Sequence, residues 1–546
     1  MNLNNNHQTM ETDVLVLGSG AAGLRAAIEA GKSGAKVMLV SKSRIGLGNN
    51  SAISGSGIAA GTGWRVPADS PDSHFQDTII GGRYMSNQRL VEVLTREIGQ
   101  EVLELERFGV RFRKREGNFH MALMAGHTHP RNVFGDKAIG TDLTLPLRDY
   151  AIDKGIIYKS GVLITGLLIH ENEAAGAVGL DERSGLVIFK AKAIVLASGG
   201  AGQIYLRTSN AAGSTGDGYV LALEAGVPMI DMEFVQFSMS GPNAEMFCAR
   251  EGAVIRNALG ENILEKYAIN DPVRMTRDAV SRAIMLEILA GRSEDGETLT
   301  LDTTPVDSGR FEQLRVLLPK NTPADKRHFP IGLYSHFFMG GAKISERTET
   351  GVDRLFAAGE VCGGVNGANR LGGNALGETF VFGKIAGEMA ALRAGEKGTI
   401  PEVQKAISRE LDRVKGLASS KGKEAVKKIQ GLLRTTMWNQ AGIVRNEKGL
   451  QAALDEIEAL KAQFKSINIR DHKDLSDAVK LENMIKVSEM VIRSALLRTE
   501  SRGSHYRSDY PEEDNNQWLK NIEISKTEDT LSLKTVPLDL TGKELV

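Results

Sequence analysis

Arg370 lies in a stretch of small side chains, GANRLGGNALGETFVFG at residues 367–383. Glycine, alanine and asparagine allow the backbone to come close to a ligand, and the guanidinium of Arg370 would then face that ligand with its charge. Arginine binds a carboxylate through two parallel hydrogen bonds. The stretch therefore indicates a site for an anionic ligand, placed immediately before an apolar, helix-like segment.

Three glycines with dinucleotide-binding spacing, Gly18, Gly20 and Gly23, follow an apolar run at residues 14–17. A helix-like stretch comes next, and a second apolar run at residues 37–40 completes a βαβ pattern. In this context the glycines permit a tight turn and bring a pyrophosphate to the helix N-terminus, whose amides and dipole favour negative charge. We therefore expect a dinucleotide site, with a merely tight turn as the alternative.

Two more glycine turns follow apolar, strand-like runs, at residues 197–200 and 357–359. Three such turns suit one long cofactor held at several strand ends of a doubly wound sheet. Glu360, directly after the third turn, is placed to accept hydrogen bonds from a polyol chain, which FAD has and NAD lacks. The other interpretation of Glu360 is an acid that interacts with a helix dipole. Ser41 ends the second strand where an acid usually holds a ribose hydroxyl, and its own hydroxyl could serve instead.

The composition is that of a globular protein, with 546 residues, 41% hydrophobic and 25% charged, and a net charge of −1. This charge balance gives no electrostatic support for binding to nucleic acid or to an acidic membrane surface. Cys248 and Cys362 are the only cysteines, so we expect no disulfide framework and a reducing, cytoplasmic location. The N-terminus lacks a signal-peptide pattern, and no apolar run reaches about 18 residues, so direct membrane insertion is not expected.

The order of the patterns predicts an α/β protein. A doubly wound, Rossmann-like FAD-binding domain would carry an inserted α+β capping domain, a helical domain and a small C-terminal domain. The FAD-binding domain would comprise residues 1–233 and 335–400, and the more charged stretch 234–334 would form the cap. Residues 401–499 have a helical period and would form the helical domain, with residues 500–546 as the C-terminal domain.

Long stretches of the chain, in order, match a known pattern: SGSGIAAG (55–62), ASGGAGQIY (197–205), TSNAAGSTGDGYVLALEAGVPMIDMEFVQF (208–237), GENILEKYA (260–268), TRDAVSRAI (276–284), HFFMGGAKI (336–344), GANRLGGNAL (367–376) and ESRGSHYRSDYP (500–511). With the N-terminal glycine motif, they resemble the flavoprotein subunits of succinate dehydrogenase and fumarate reductase, with L-aspartate oxidase as a close relative. The likeness covers nearly the whole length. It implies an FAD-dependent oxidoreductase that acts on CH–CH bonds.

The resemblance also implies roles for individual residues. Hydride transfer between a carbon and flavin N5 needs a proton donor or acceptor and a grip on an activating carboxylate. By resemblance, Arg370 and His336 hold one carboxylate, and Arg277 is the proton shuttle. Alternatively, Arg277 is a helix-surface charge that pairs with Asp278 or Glu287, and His336 is a satisfied core histidine. The residues expected to contact FAD are Gly18, Gly20, Ala21, Ala22, Gly23, Ser41, Lys42, Asn49, Asn50, Ser51, Gly57, Ala197, Ser198, Gly199, Thr208, Asp217, Glu360, Asn374 and Ala375.

The sequence departs from the family pattern at the flavin linkage. Respiratory members attach FAD covalently to a histidine in the loop before the SGSGIAAG stretch, and this position is Asn50 here. An amide cannot be the nucleophile that forms that bond. We therefore expect FAD to be bound non-covalently, as in L-aspartate oxidase.

A second departure concerns the far end of the substrate. The family phrase FVQFHPTG is FVQFSMSG here, so Ser238 replaces a histidine that binds the second carboxylate. Ungapped alignment from GENILEKYA places Glu245, Met246 and Ala249 at the threonine, glutamate and arginine of the family's Thr-Glu-x-x-Arg segment. An acid at Glu245 would repel a second carboxylate, so the substrate would carry one carboxylate opposite a neutral, bulkier or cationic group. An offset alignment would instead make Glu245 and Arg250 relay residues.

Three functions remain open at this stage. The leading one is the catalytic subunit of an electron-transfer complex, with an iron–sulfur partner subunit and a small carboxylic acid as substrate, peripheral to the membrane through its partners. Residues 514–520, DNNQWLK, favour it because they look more like the respiratory subunits than like the oxidase. The second is an L-aspartate-oxidase-like amino-acid oxidase. The third is a non-catalytic FAD-binding protein, against which the retention of Arg277, His336 and Arg370 argues. No metal site is expected.

Overall fold

The computed structural model describes residues 7–241, 244–271, 274–315, 318–528 and 530–541, and of residues 246, 249 and 250 it describes only the backbone. The N-terminal part alternates strands and helices: β1 Gln8–Leu17, α1 Ala21–Lys32, β2 Val37–Ser41, α2 Asn50–Ile53, β3 Ile58–Ala59, α3 Pro71–Gly81, α4 Gln88–Arg107, β4 Lys114–Arg115, β5 Asn118–Phe119, β6 Met121–Ala122, β7 Asn132–Val133, α5 Thr141–Asp153, β8 Ile157–Ser160, β9 Val162–His170, β10 Glu173–Asp181, β11 Gly185–Leu196, α6 Asp217–Glu224 and β12 Met229–Ile230.

The middle of the chain continues with β13 Val235–Met239, α7 Ala244–Glu251, β14 Val254–Arg256, α8 Ile263–Lys266, α9 Arg277–Leu289, β15 Leu299–Asp302, α10 Ser308–Leu314, β16 His328–Ile331, β17 Leu333–Phe338, β18 Gly341–Ala342 and β19 Leu355–Ala357. Helices dominate the remainder, which comprises α11 Asn374–Lys397, α12 Gln404–Ala418, α13 Val426–Gln440, β20 Val444–Arg445, α14 Glu447–Phe464, α15 His472–Leu497, β21 Tyr506–Arg507, α16 Asn515–Trp518, β22 Asn521–Thr527 and β23 Thr530–Val536.

The central sheet has the strand order β8-β2-β1-β11-β10-β9, and β19 pairs with β11 beside this path. Strands β8, β2, β1, β11 and β19 are parallel, whereas β10 and β9 form an antiparallel meander. Residues 14–17 and 193–196 are buried, as expected for parallel strands covered on both faces. The carboxyl ends of β1, β2, β11 and β19 therefore meet at one edge, where doubly wound sheets bind their ligands.

Helices α1 and α11 pack directly on one another because both present small residues at the contact. A Cβ atom placed on Gly383 would lie 2.7 Å from the carbonyl oxygen of Ala22, and one on Gly387 would lie 2.3 Å from that of Ala26. Both distances are shorter than a carbon–oxygen contact allows, so only glycine fits at these two positions. This packing holds the start of α11, which follows Arg370, close to the glycine turn after β1.

The stretch between β12 and β18 covers the edge of the sheet. Strands β13 and β17 pair antiparallel, β14, β15 and β16 form a separate three-stranded sheet, and α9 packs on β13 and β17. Arg277 is the first residue of α9. The cap thus contributes one arginine, and the loop before α11 contributes the other.

Buried arginines connect the C-terminal segment to the rest of the protein. Arg498 donates to Glu233 at 2.6 Å and to Glu500 at 3.0 Å, and Arg502 also donates to Glu500, at 2.8 Å. All four side chains are buried, and each pairing leaves little uncompensated charge in the interior. The hairpin β22–β23 adds to β12 and β18, so the C-terminal segment shares a sheet with the cofactor domain.

The predicted fold class is confirmed: the chain forms an α/β protein with a doubly wound sheet, a capping segment, a helical segment and a C-terminal segment. The domain boundaries themselves stay predictions. Both cysteines are unpaired and buried. Over the described ranges, none of the helices combines the length and the apolar character that crossing a membrane requires.

Candidate active site

A cavity of about 340 Å³ lies at the carboxyl edge of the central sheet. The glycine turns after β1, β11 and β19 all reach it, which brings together segments separated by more than 150 residues in sequence order. Among the residues predicted to contact FAD, the following line this cavity: Gly18, Gly20, Ala21, Ala22, Ser41, Lys42, Asn49, Asn50, Ser51, Gly57, Ala197, Ser198, Gly199, Asp217, Glu360 and Ala375.

The turn after β1 depends on glycine for two separate reasons. Gly18 has φ +118°, and a Cβ there would lie 2.1 Å from the carbonyl oxygen of Ala197. A Cβ on Gly23 would lie 1.8 Å from the carbonyl oxygen of Gly18, so Gly23 lets α1 press against the turn but does not itself line the cavity. The N-cap of α1, Gly20, has no side chain to cap the helix. The amide of Ala21 donates to Oγ of Ser51 at 3.1 Å, and the amides that follow it in the first helical turn are available to a phosphate.

Two other predicted contacts also lie away from the cavity wall. Thr208 donates from Oγ1 to the carbonyl oxygen of Ser335 at 3.2 Å. Asn374 is 1% exposed and bonds through Oδ1 to Nε2 of His74 at 2.9 Å and through Nδ2 to Oγ1 of Thr78 at 3.0 Å. Thr208 therefore holds neighbouring backbone in place, and Asn374 holds the side chains of His74 and Thr78.

Asn50 uses both ends of its amide group. Its Nδ2 donates to Oε2 of Glu360 at 3.0 Å and to Oδ1 of Asn210 at 3.1 Å, and its Oδ1 accepts from the amide of Ala211 at 2.9 Å. The side chain thus fixes the loop to the turn after β19. It presents no nucleophilic atom to the cavity.

Several polar groups in this cavity fit FAD. Within the described ranges, the buried hydroxyl of Ser198 has no hydrogen-bond partner, and neither polar atom of Asn132 has one; both side chains line the cavity. Native proteins rarely leave such groups unsatisfied, so a ligand is the natural partner. Burial raises the pKa of the Glu360 carboxyl, which suits hydrogen bonding to a polyol. Together with the open helix N-terminus, these groups can hold the pyrophosphate, the ribityl chain and the flat ring system.

Arg370 carries a buried charge that no acidic side chain of the described residues pairs. It is 6% exposed, its Nη2 donates to Oε1 of Gln236 at 3.0 Å, and its guanidinium lies 4.6 Å from the centroid of the Phe337 ring. Its Nε makes no hydrogen bond within the described part of the chain. Burial, and secondly the nearby charge of Arg277, lower the pKa of Arg370. An anion bound here would relieve both effects, because it would pair the charge and fill the vacant donor.

Arg277, by contrast, is held by a carboxylate. Its Nε donates to Oε1 of Glu245 at 2.8 Å and its Nη2 to Oε2 at 3.0 Å, while Nη1 donates to Oε1 of Gln236 at 3.2 Å. Burial alone would raise the pKa of Glu245, but Arg277 and the Ser238 hydroxyl lower it to about 2. Glu245 is therefore ionised at neutral pH and compensates the charge of Arg277.

This ion pair differs from what the ungapped alignment predicts, which is an acid facing a second substrate carboxylate. The structure instead sets Glu245 against Arg277, and the relay role that the offset alignment gives to Glu245 and Arg250 stays a prediction. Glu287, the alternative partner of Arg277, is bonded to Arg292 at 2.6 Å. The side chains of Met246 and Arg250 lie outside the described residues, so their predicted parts in the site stay open.

His336 lines the cofactor cavity and bonds through Nδ1 to the hydroxyl of Ser209 at 2.8 Å. Burial, followed by the charges of Arg277 and Arg370, lowers its pKa well below the ordinary value, so the ring is neutral. If the Ser209 hydroxyl donates to Nδ1, the proton lies on Nε2, an assignment made from hydrogen bonding. His336 can then donate a hydrogen bond to an anion held by Arg370.

A second cavity adjoins the first, and the two share Met124, Arg277, Arg370 and Gly372 in their walls. Ser238 and Glu245 line it, which places these two predicted substrate residues beside the arginines. Most of the remaining wall is apolar and includes Ala125, Met239, Met275, Val280 and Leu371. The described residues thus give this end of the site little charge beyond the Arg277–Glu245 pair.

Gln236 is a site residue that the sequence analysis did not select. Its side-chain oxygen accepts from both arginines, and its Nε2 donates to Oδ1 of Asn369 and to the carbonyl oxygen of Arg370, each at 2.8 Å. The alternation in VQFSM (235–239) was the available signal, because it places Gln236 and Ser238 on one face of β13. Gln236 fixes the spacing of the two guanidinium groups.

Comparisons with known proteins agree with this site. Residues 13–376 match the family described as FAD binding domain, and residues 431–544 match the one described as fumarate reductase flavoprotein C-term. One of the subunits of the CoM/CoB fumarate reductase of Methanothermobacter marburgensis is 36% identical, over 94% of this chain and 97% of its own length. The fumarate reductase flavoprotein subunit of Haemophilus influenzae is 30% identical, over 94% and 92% respectively.

A solved structure extends the comparison to three dimensions. A mutant of the E. coli quinol fumarate reductase superposes with a TM-score of 0.92 at 29% identity, covering 99% of this chain and 98% of that one. The predicted FAD cofactor and the resemblance itself are thereby confirmed. This chain is an FAD-dependent oxidoreductase and belongs to the fumarate reductase and succinate dehydrogenase flavoprotein-subunit family.

Proposed function

We propose that this protein transfers a hydride between flavin N5 and a CH–CH or C=C bond of a carboxylic acid that presents one carboxylate to Arg370. The observation that carries the proposal is the unequal pairing of two neighbouring guanidinium groups. Arg277 is neutralised by Glu245, whereas Arg370 has no acidic partner among the residues that the structure describes. One uncompensated positive charge matches one carboxylate.

Arg370 and His336 would bind and polarise that carboxylate. The open Nε of Arg370 and Nε2 of neutral His336 are two donors that can converge on it, and charge-assisted bonds of this kind are strong. Withdrawing electrons through the carboxylate makes the adjacent double bond a better hydride acceptor. Phe337 packs against the guanidinium and shields it from water.

Arg277 would move the proton that accompanies the hydride. Bound FAD would supply the hydride, or accept it in the reverse direction. In reduction, an N–H bond of Arg277 breaks as the new C–H bond forms, and the Glu245 carboxylate is in direct contact, so that it can pass a proton to Arg277 once it has itself received one. The ion pair also orients the guanidinium, because two parallel hydrogen bonds fix its plane. This arrangement supports general acid catalysis by Arg277.

The far end of the substrate would be neutral or apolar. The second cavity offers methionine, valine and leucine side chains, and the Arg277–Glu245 pair in its wall is already satisfied. A second carboxylate would meet hydroxyl groups there, such as the unpaired Oγ of Ser281, but among the described residues it would meet no positive charge that is free to pair with it. Burying a charge without a counter-charge costs several kcal/mol. We therefore propose a monocarboxylate, or a larger acid that is neutral at its other end, in preference to fumarate or succinate.

FAD would be held without a covalent bond, because Asn50 stands at the linkage position and both ends of its amide are hydrogen-bonded. Acid precipitation should release the flavin into the supernatant. Flavin fluorescence that stays with the polypeptide in a denaturing gel would contradict this expectation.

Electrons would come from a partner iron–sulfur subunit. The relatives are named as subunits of fumarate reductases, and the match of this chain extends through the family's C-terminal region. Purification of the protein from its native source should yield a complex that contains iron–sulfur clusters.

Anaerobic assays with a reduced viologen dye test the proposed reaction. We expect oxidation of the dye with crotonate or monomethyl fumarate, and a kcat/KM at least about tenfold lower with fumarate, since one unpaired charge costs more than 1.4 kcal/mol. A micromolar KM and fast turnover with fumarate would refute the proposed substrate class. Production of hydrogen peroxide and an imine from L-aspartate under air would indicate an amino-acid oxidase instead.

A further inference from the structure

Glu245 has a hydrogen-bond partner besides Arg277, since the hydroxyl of Ser238 donates to its Oε1. Ser238 is 2% exposed. Its direct cross-strand neighbour is Tyr334, in the antiparallel pairing of β13 with β17. Paired residues on neighbouring strands project from the same face of the sheet. Arg277, Glu245, Ser238 and Tyr334 therefore follow one another in space.

Tyr334 extends this series toward the outside of the protein. It is partly exposed, yet it lines neither of the two cavities. Burial, and then the charge of Glu245, raise the pKa of Tyr334, whereas the hydroxyl of its cross-strand neighbour Ser238 lowers it. The phenol therefore keeps its proton at neutral pH and can both donate and accept hydrogen bonds.

Glu245 needs such a connection during turnover. Its carboxylate faces the second cavity, which a bound substrate would close. Cys248 lies three residues further along α7, but its thiol is buried and a thiol is only a weak hydrogen-bond donor. A hydroxyl group, in contrast, can donate its own proton while it accepts another, so it stays neutral overall.

We propose that Ser238 and Tyr334 relay protons between Glu245 and bulk water. The inference rests on the proposed function, in which Arg277 protonates the substrate carbon. In the reductive direction Arg277 loses a proton to carbon, and the Glu245 carboxylate takes a proton from the Ser238 hydroxyl. Ser238 regains a proton from Tyr334, Tyr334 regains one from water, and Glu245 then passes its proton to Arg277. Each step breaks one N–H or O–H bond and forms the next, and the electrons come only with the hydride from reduced FAD.

Rapid mixing separates this relay from a merely structural role. Holoprotein with prereduced FAD is mixed with fumarate or monomethyl fumarate, whichever the wild type reduces faster. In Tyr334→Phe the first turnover should stay within about twofold of wild type, because Arg277 already carries its proton. Steady-state turnover should fall about 10- to 100-fold, a loss no larger than the one expected from removing a direct proton donor. The solvent isotope effect on the steady-state rate should increase. Tyr150→Phe, a half-buried tyrosine on α5, is the matched control and should resemble wild type.

Several results would overturn the relay. An unchanged steady-state rate in Tyr334→Phe, or an equal loss in the first turnover, would do so. Arg277→Lys, run in parallel, tests the proposed function separately: if it is inactive while Tyr334→Phe is normal, only the relay fails. If Arg277→Lys keeps its first turnover, both proposals fail, because the relay ends on Arg277.

A readout that needs no substrate completes the test. The Tyr334 phenol can be titrated by its ultraviolet absorbance, as the difference between each protein and its Tyr334→Phe counterpart. Glu245→Gln removes a charge that opposes phenolate formation, so it should lower the pKa of Tyr334. A Tyr334 titration that does not respond to Glu245→Gln would show that the two groups are uncoupled, and the relay would be refuted.

Discussion

Arg277 and Arg370 both donate to the same side-chain oxygen of Gln236, yet their surroundings give them different chemistry. Arg277 is fastened to Glu245 by two hydrogen bonds, and Glu245 raises the pKa of Arg277 although burial opposes this. Arg370 has an aromatic ring and an amide oxygen as neighbours, and its pKa is lowered. The residue type is the same in both places. In the proposed function, the partner decides whether a buried guanidinium delivers a proton, as Arg277 would, or binds an anion, as Arg370 would.

Arg277→Lys should have the largest effect of the variants that test this difference between the two arginines. Lysine keeps the positive charge but cannot form two parallel bonds to Glu245, so the proton would no longer be positioned over the substrate carbon. We expect kcat to fall by ~10² to 10⁴-fold, with FAD content unchanged. Steady-state kinetics and the flavin absorbance spectrum measure the two quantities.

Arg282→Lys is the control for that variant, because Arg282 lies on the same helix and contacts the Tyr506 ring instead of the site. It should turn over at the wild-type rate. If Arg277→Lys did so as well, Arg277 would not be the proton donor.

Arg370→Lys addresses the other half of the comparison. A lysine cannot offer the second donor to the carboxylate, and its shorter reach leaves the anion poorly paired in a buried site. We expect KM to rise on the order of 100-fold, with a smaller effect on kcat. Arg393→Lys, on the outer part of α11 where Arg393 pairs with Asp353, should keep the wild-type KM. An unchanged KM in Arg370→Lys would remove Arg370 from the carboxylate site.

The cofactor half of the site could be predicted from the sequence, because its signals are local. Gly18 needs a positive φ and close backbone contact, and such a constraint leaves a glycine in a fixed place between a strand and a helix. The Arg277–Glu245 pair could not be predicted this way. Its two residues lie 32 positions apart on different elements, and a shift of one residue in the alignment changes the role of Glu245. Gln236 was missed because the alternation of VQFSM (235–239) places it on the same face as Ser238 but does not indicate what its side chain binds.

Ser238→His tests the far end of the substrate. The family resemblance places a histidine at this position, where it binds a second carboxylate. Adding a donor, and a charge when the ring is protonated, should improve kcat/KM for fumarate relative to monomethyl fumarate by about tenfold. The ratio of the two kcat/KM values is the measurement, and Ser240→His, one strand position beyond β13, is the control. If the ratio of kcat/KM for fumarate to kcat/KM for monomethyl fumarate is unchanged in Ser238→His, the far end of the substrate does not contact this position.

The smallest expected effect concerns Glu378, a carboxyl group in the first turns of α11. It is 2% exposed and accepts from Nδ2 of Asn366 at 2.8 Å, and burial raises its pKa to about 8. In the unfolded chain the same group would lose its proton near pH 4.5. Between these values the folded state holds a proton that the unfolded state has released. The contribution of Glu378 to stability therefore falls as the pH rises from about 4.5 to 8, and it is level above that.

Glu378→Gln should remove this slope, because the amide stays neutral and its oxygen can still accept from Asn366. We expect the holoprotein melting temperature of the variant to match wild type near pH 5 and to exceed it by a few °C at pH 8. Glu388→Gln, at a partly exposed position on the same helix, should follow the wild-type curve. Thermal unfolding followed by circular dichroism from pH 5 to 8 decides the matter. A difference in melting temperature between variant and wild type that stays constant from pH 5 to 8 would show that Glu378 does not titrate in this range. Glu378 would then be ionised in the folded protein, near Arg370, and not neutral.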